Sequence, residues 1–217
     1  ARMQRINVEG FDFSIDGDLT RFESARDYEC LNGTAYRSGC APNADRAVAL
    51  AQISRPFTTP YGYLTPKMQL NSRSYQFAGG LPANNPFYGD HAGQSGASVS
   101  VPTFSIDTGV AFEKSTRLFD RGWTQTLEPR IFYVYTPYRD QNYLPNYDSG
   151  GNSFNFASIF TENAFGGYDR ISDSKLLTLG ATSRFIDPET GAEGARFGLA
   201  QRLRMKEQRV TMPDDPT

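Results

Sequence analysis

Residues 123–141 read WTQTLEPRIFYVYTPYRDQ. Trp123, Leu127, Ile131, Tyr133 and Tyr135 alternate with Thr124, Thr126, Glu128 and Arg130, the period of two expected of a strand with one apolar and one polar face. Pro129 sits between the two charges. Proline has no N–H to give to a ladder, so a strand that contains one is expected to bulge or lose a rung there. Side chains two apart share a face. Pro129 therefore goes with Leu127 and Ile131, while Glu128 and Arg130 point together to the polar side, with an ionic contact expected behind the proline.

The same alternation recurs outward from this stretch. Phe11, Phe13, Ile15 and Leu19 oppose Asp12, Ser14, Asp16 and Asp18, and Leu64, Met68 and Leu70 oppose Lys67, Gln69 and Asn71. Phe104, Ile106, Val110 and Phe112 oppose Thr103, Ser105, Asp107 and Glu113. Leu177, Leu179, Ala181 and Phe185 oppose Thr178, Thr182 and Arg184, and Phe197, Leu199, Leu203 and Met205 oppose Arg196, Arg202 and Arg204. With a weaker segment at 46–58, ended by Pro56, this predicts about seven strands. Residues 1–10 read as the edge of a strand, and both ends read as cut from a longer protein.

Connections alternate in length. Long ones span 25–45, 79–97 and 139–174; short ones lie at 59–62, 120–122 and 187–194. An outer-membrane barrel sorts its loops in this way, short on the periplasmic side and long outside. Tyr133, Tyr135 and Tyr138 precede a long loop and Trp123 follows a short turn, the two places where interface aromatics fall. The alternation by itself also fits a soluble β-sandwich, and a porin-like barrel for small polar solutes is a further alternative. Seven strands do not close a single-chain bacterial barrel, and open edges are not tolerated in lipid. The expectation is an all-β fold of antiparallel up-and-down strands, part of a larger transmembrane barrel.

Composition narrows the function. The net charge is −2, which leaves no basic footprint for nucleic acid. His91, the single histidine, lies in a Gly/Asn/Pro-rich loop, and no GxSxG is present, so hydrolytic catalysis finds no support. Asp12, Asp16 and Asp18 could bind calcium loosely, but their spacing lacks the EF-hand turn and reads as a solvated or lumenal face. Cys30 and Cys40 lie in a polar, glycine-containing loop, where a local disulfide is one reading and two free thiols the other. No cofactor is called for.

Five blocks occur in order: LEPRIFYVYTPYRDQ, LPNYDS, FGGYDRISD, LGATSRFID and KEQRVTMP, with PYGYLTPKMQL and DRGWTQT upstream. Together they resemble the LptD family of lipopolysaccharide-assembly (organic solvent tolerance) proteins over most of the chain. The motif positions are Leu127, Glu128, Pro129 and Arg130, then Tyr138, Arg139 and Asp140, then Tyr168, Asp169 and Arg170. The resemblance implies a non-enzymatic bacterial outer-membrane barrel with an N-terminal periplasmic jelly-roll. It also implies a plug lipoprotein, LptE, in the lumen and lipopolysaccharide delivered across a periplasmic bridge. Residues 1–217 then correspond to a partial barrel domain, with the jelly-roll and the remaining strands outside it.

Among 22 basic residues, arginine outnumbers lysine 18 to 4. Arg130, Arg184, Arg196, Arg202 and Arg204 fall on polar faces, where they form a cationic wall suited to phosphate. Pairing with Glu128, Asp107 and Glu113 is the plainer role. Segment 139–174, rich in Tyr, Phe, Asn and Gly, is expected to fold over the barrel mouth and touch the plug.

Overall fold

The computed structural model describes residues 2–23, 42–83 and 86–212. Cys30 and Cys40 lie outside the described residues. Among the described residues there are twelve strands: β1 (Arg2–Val8), β2 (Phe11–Phe22), β3 (Ala44–Ser54), β4 (Phe57–Thr59), β5 (Gly62–Phe77), β6 (Gly96–Val110), β7 (Phe112–Leu118), β8 (Arg121–Thr136), β9 (Gly150–Gly151), β10 (Phe165–Gly166), β11 (Ser174–Ile186) and β12 (Glu193–Arg204). Ten of them form one antiparallel sheet in the order β1-β2-β3-β5-β6-β8-β11-β12, with β4 paired to β5 and β7 to β8. The sheet is open among the described residues, since β1 and β12 are its two ends.

Two of the interruptions are broken rungs rather than separate strands. Gly109 opposes Arg130 and Phe112 opposes Leu127, so the register is the same on both sides of Pro129. No residue is inserted, which selects the missing rung over the bulge. The β11 side is continuous through Pro129, which opposes Ala181. The absent N–H therefore faces only β6 and β7, which is why a central strand accepts this proline. The β3–β4 break has the same form: Ser54 opposes Lys67 and Phe57 opposes Leu64, with Pro56 and Pro66 between them. Counting each broken strand once leaves eight. The addition to the expected seven is β1, which joins β2 through Glu9 and Gly10, both at positive φ (51° and 81°). That is the backbone of a tight hairpin turn.

The other short turns lie close to where the sequence places them, with one shift. The turn expected at 120–122 falls at Phe119 and Asp120, both at positive φ, because Arg121 and Gly122 already pair with Leu118 and Arg117.

The register sorts the side chains. Phe13, Ile15, Leu19, Leu64, Met68, Leu70, Phe104, Leu127, Ile131, Leu179, Phe197 and Leu199 share one face and are all exposed. That face has the apolar character of a lipid-facing wall. The opposite face carries Arg46, Lys67, Arg73, Tyr75, Asp107, Arg130, Thr178 and Arg202. What core exists lies on this polar side. Ala44, Tyr75, Phe77, Leu81, Tyr88 and Leu144 form one buried cluster, and Phe132, Val134 and Leu176, with Phe160 packed on them, form another.

Candidate functional site

The segment between β8 and β11, residues 137–173, runs down the polar face of the sheet rather than only across its end. Its three anchors are set at different depths.

Asp169 is the first. It is fully buried and accepts hydrogen bonds from an Arg46 guanidinium N–H (2.7 Å), the Tyr75 hydroxyl (2.7 Å) and the backbone N–H groups of Tyr147 (2.6 Å) and Asp148 (2.8 Å). A second Arg46 nitrogen donates to Asp148 at 2.7 Å. The Arg46 guanidinium also lies against the rings of Phe22 and Tyr168, 4.8 and 5.5 Å from their centroids. Burial works against ionisation of Asp148, but hydrogen bonds from Arg46 and the Tyr168 N–H hold its carboxyl below the usual carboxylate range.

The second anchor is a pair of buried arginines. Arg73 reaches from β5 to the Tyr168 carbonyl (2.9 Å) and the Gln141 side chain (2.7 Å). Gln141 in turn exchanges hydrogen bonds with the backbone N–H and carbonyl of Ile171 (3.1 and 2.9 Å). Arg170 donates to the Leu144 carbonyl at 2.6 Å. Carbonyl acceptors, rather than further carboxylates, take the terminal N–H groups of these cations, while the buried Nε of Arg73 has no partner among the described residues.

The third anchor lies deeper along the strands. Glu162 pairs with Lys67 and accepts from Ser105 at 3.2 Å. The Ile159 carbonyl accepts from Thr178 (3.2 Å) and from Arg202. The Phe160 ring sits 4.2 Å from the Arg130 guanidinium and directly over Gly180, where an added Cβ would be 2.6 Å from the ring. Gly198 receives Phe156 in the same way at 2.8 Å. These glycines let aromatic rings of the segment reach the wall. A cavity of about 430 Å³ remains between Phe156, Phe160 and the wall around Pro129, flanked by Tyr63, Glu128, Arg130 and Arg184.

The sequence-predicted charges divide into three kinds. Arg130 forms a two-pronged pair with Asp107 (2.9 and 2.6 Å) and Arg184 pairs with Glu128 (2.5 Å). Glu128 and Arg130 therefore each pair across the sheet, and not with one another. Arg196 bonds the nearby Glu193 at 2.8 Å, and Arg202 is held by the segment's carbonyls. Arg204 is exposed and has no ion pair among the described residues, and the same holds for Glu113. Of the motif residues, Tyr138 lies under the Arg209 guanidinium (3.6 Å to the ring centroid), and Asp140 caps the Asn142 N–H at 3.0 Å. Arg139 is exposed. Tyr168, Asp169 and Arg170 are the lock just described. Arg46, Arg73 and Tyr75 were missed in the sequence. Arg46 lies in the weakest segment, and the alternation of β5 was followed only as far as Asn71. Continuing it would have placed Arg73 and Tyr75 on the polar face.

His91 stacks on Tyr143, 3.7 Å between ring centroids. Among the described residues no group of three His, Cys, Asp or Glu could hold a metal ion; Asp12 accepts from Asn7 (2.8 Å) and Asp18 from Thr20 (2.5 Å).

Comparison with known proteins agrees with this architecture. A family model described as LPS transport system D matches residues 2–217. An LPS-assembly protein LptD of a Polaromonas species is 55% identical over 94% of this chain. An Acidovorax protein of the same name is 53% identical over 94%, and one from Burkholderia pseudomallei 39% identical over 96%. The chain spans 22%, 23% and 24% of those relatives' lengths. The match to a transport family leaves no place for the soluble-sandwich reading, and it accounts for a sheet with one lipid-facing apolar face. The chain belongs to the LptD family of bacterial outer-membrane proteins, and its open sheet is part of that family's β-barrel.

Proposed function

We propose that this chain is one section of the barrel wall in the translocon that inserts lipopolysaccharide into the outer leaflet. The sugar passes through the lumen and leaves by a lateral opening of the barrel. Residues 1–217 are a partial barrel domain of a longer protein whose N-terminal jelly-roll receives lipopolysaccharide from the periplasmic bridge. The observation that carries this reading is the contrast of faces: an apolar outer wall backed by a polar wall bearing Arg130, Arg184, Arg196, Arg202 and Arg204. Arginine keeps its charge and offers forked donors to phosphate, and the relatives are named for lipopolysaccharide assembly.

Arg130 and Arg184 are already occupied by carboxylates, and Arg202 by carbonyls. Arg196, paired with Glu193 but with 58% of its side chain exposed, and Arg204, exposed and without an ion pair among the described residues, are the two within reach of a substrate. Arg196→Glu combined with Arg204→Glu in the full-length protein is expected to lower surface-exposed lipopolysaccharide several-fold at normal barrel levels. Unchanged export would sink the substrate role of this wall.

The plug lipoprotein is the second proposed partner. Tyr147 and Phe160 face the wall, stacked on Phe22 and packed on Phe132. Phe154 is 72% exposed, with its ring 5.8 Å from the Arg202 guanidinium at the β12 side. A photo-crosslinking residue at Phe154 is expected to capture the lipoprotein in cells, whereas one at Tyr147 captures this chain itself. No lipoprotein adduct from Phe154 would count against the contact.

A further inference from the structure

The outer, lipid-facing wall carries few charges, and their arrangement is uneven. Near the long-loop end Arg21 is matched by Asp45, 2.6 Å away. Toward the short-turn end Arg55 has no such partner among the described residues. It follows Ser54 at the broken rung of β3 and shares the outer face with Ile53, which opposes Phe13, and with Phe57, which opposes Leu64. Arg55 is exposed, and its guanidinium lies between two rings, 4.7 Å from the centroid of Phe11 and 5.0 Å from that of Phe57. Only its backbone N–H is bonded, to the Pro66 carbonyl at 3.1 Å. Its side-chain N–H groups have no acceptor among the described residues.

Two aromatic rings hold a guanidinium by its faces and leave its N–H edges free. On a wall that meets hydrocarbon, a fixed cation with free donors is unfavourable unless something anionic reaches it. Water does not serve at depth, and a long side chain near the end of a spanning strand turns toward the headgroups. Among the residues whose side chains are described, the other outer-face cations of this end are Lys114, next in alternation after Phe112, and Arg121, whose guanidinium lies 5.1 Å from the Trp123 ring. Arg121 is tied to Asp187 in the adjoining turn. Arg55 is thus the member of this cationic rim that is both clamped and unpaired.

We propose that Arg55, clamped by Phe11 and Phe57, is a binding site for the phosphate of a glycerophospholipid in the leaflet on the short-turn side. The site fastens the wall to that leaflet where the β3–β5 ladder is interrupted by Pro56 and Pro66. It lies on the face away from the lumen and from the arginines assigned to the transported substrate, so it stands or falls separately from the transport reading.

The test uses the full-length barrel with its lipoprotein, purified in detergent, and follows bound lipid by native mass spectrometry and thermal unfolding. Titration with phosphatidylglycerol is expected to give retained lipid adducts and a rise in unfolding temperature. Arg55→Gln should lose at least one adduct and most of that rise, and Arg55→Lys should keep part of both. Phe57→Leu, which leaves the charge in place, should weaken retention by loosening the clamp. Diacylglycerol, lacking the phosphate, should do nothing through this residue. Equal adducts in the wild type and Arg55→Gln overturn the proposal, as does equal stabilisation by diacylglycerol. Arg55-dependent retention of lipid A at least as strong as that of phosphatidylglycerol overturns the leaflet assignment. If Arg55→Gln does not assemble, Arg55→Lys and Phe57→Leu carry the same comparison.

Discussion

Replacing Asp169 by alanine is expected to release residues 137–173 from the wall while the sheet itself stays paired. The carboxylate accepts four hydrogen bonds in a site with no solvent access, and its removal strands the Tyr75 hydroxyl, two backbone N–H groups and part of the Arg46 charge. Breaking a buried pair by removing one partner costs about 3–5 kcal/mol. Arg46 keeps Asp148 at 2.7 Å, which puts the effect nearer the lower end. Limited proteolysis of the folded full-length barrel reads this directly: new cleavage within 137–173 in Asp169→Ala, none in the wild type. The double variant Arg46→Met with Asp169→Leu should be less sensitive than the sum of the single changes, since it removes the uncompensated charge as well as its partner. Wild-type resistance in Asp169→Ala would show that the deeper contacts at Glu162 and Phe160 are sufficient without the lock.

Gly167→Ala is expected to have a comparable effect without touching a charge. Gly167 sits at φ +74°, and a Cβ there would fall well inside contact distance of the Asp148 carbonyl oxygen. Both terms are unfavourable, and backbone cannot swing aside as a side chain can. The combined effect is about 2 kcal/mol or more. Gly79→Ala isolates the first term, because Gly79 has φ +81° and open space around the added methyl; it should cost only about 1–2 kcal/mol. Thermal unfolding and the same proteolysis assay separate them. Gly79→Ala should leave segment 137–173 protected and Gly167→Ala should not. Equal behaviour of the two would mean that the close approach to Asp148 relaxes freely. The glycine in the FGGYDR block is thus a steric requirement of the lock formed by the three residues after it.

Transport through this wall and the docking of segment 137–173 are connected by geometry. The segment occupies polar surface that would otherwise face the lumen; it buries Arg73 of the wall together with its own Arg170, and partly covers Arg202. It leaves Arg196 and Arg204 at the β12 side. A count of arginines therefore overstates the cationic surface available to a phosphate-bearing sugar. Five were predicted on the polar face, and two of those, Arg196 and Arg204, are exposed.

Much of the wall was determined by sequence alone, because a strand's period of two converts residue order into facing without any knowledge of partners. Pro129 could be assigned to the outer face, and a fault in its ladder expected, from the missing N–H and its neighbours Leu127 and Ile131. The resemblance blocks carried the family for the same local reason, since they are contiguous. Tertiary structure decided what depends on register and on distant segments. The choice of a missing rung over a bulge follows from equal residue counts across β6, β7 and β8. Glu128 took Arg184, 56 residues away, and Asp107 took Arg130. The lock joins Arg46 to Asp169 across 123 residues, in a pairing with no local signature because it exists only once the sheet has placed β3 beneath the returning segment. Alternation says which way a side chain points; what it meets there is fixed by the closure of the chain over the wall, whose polar groups must be satisfied wherever water is excluded.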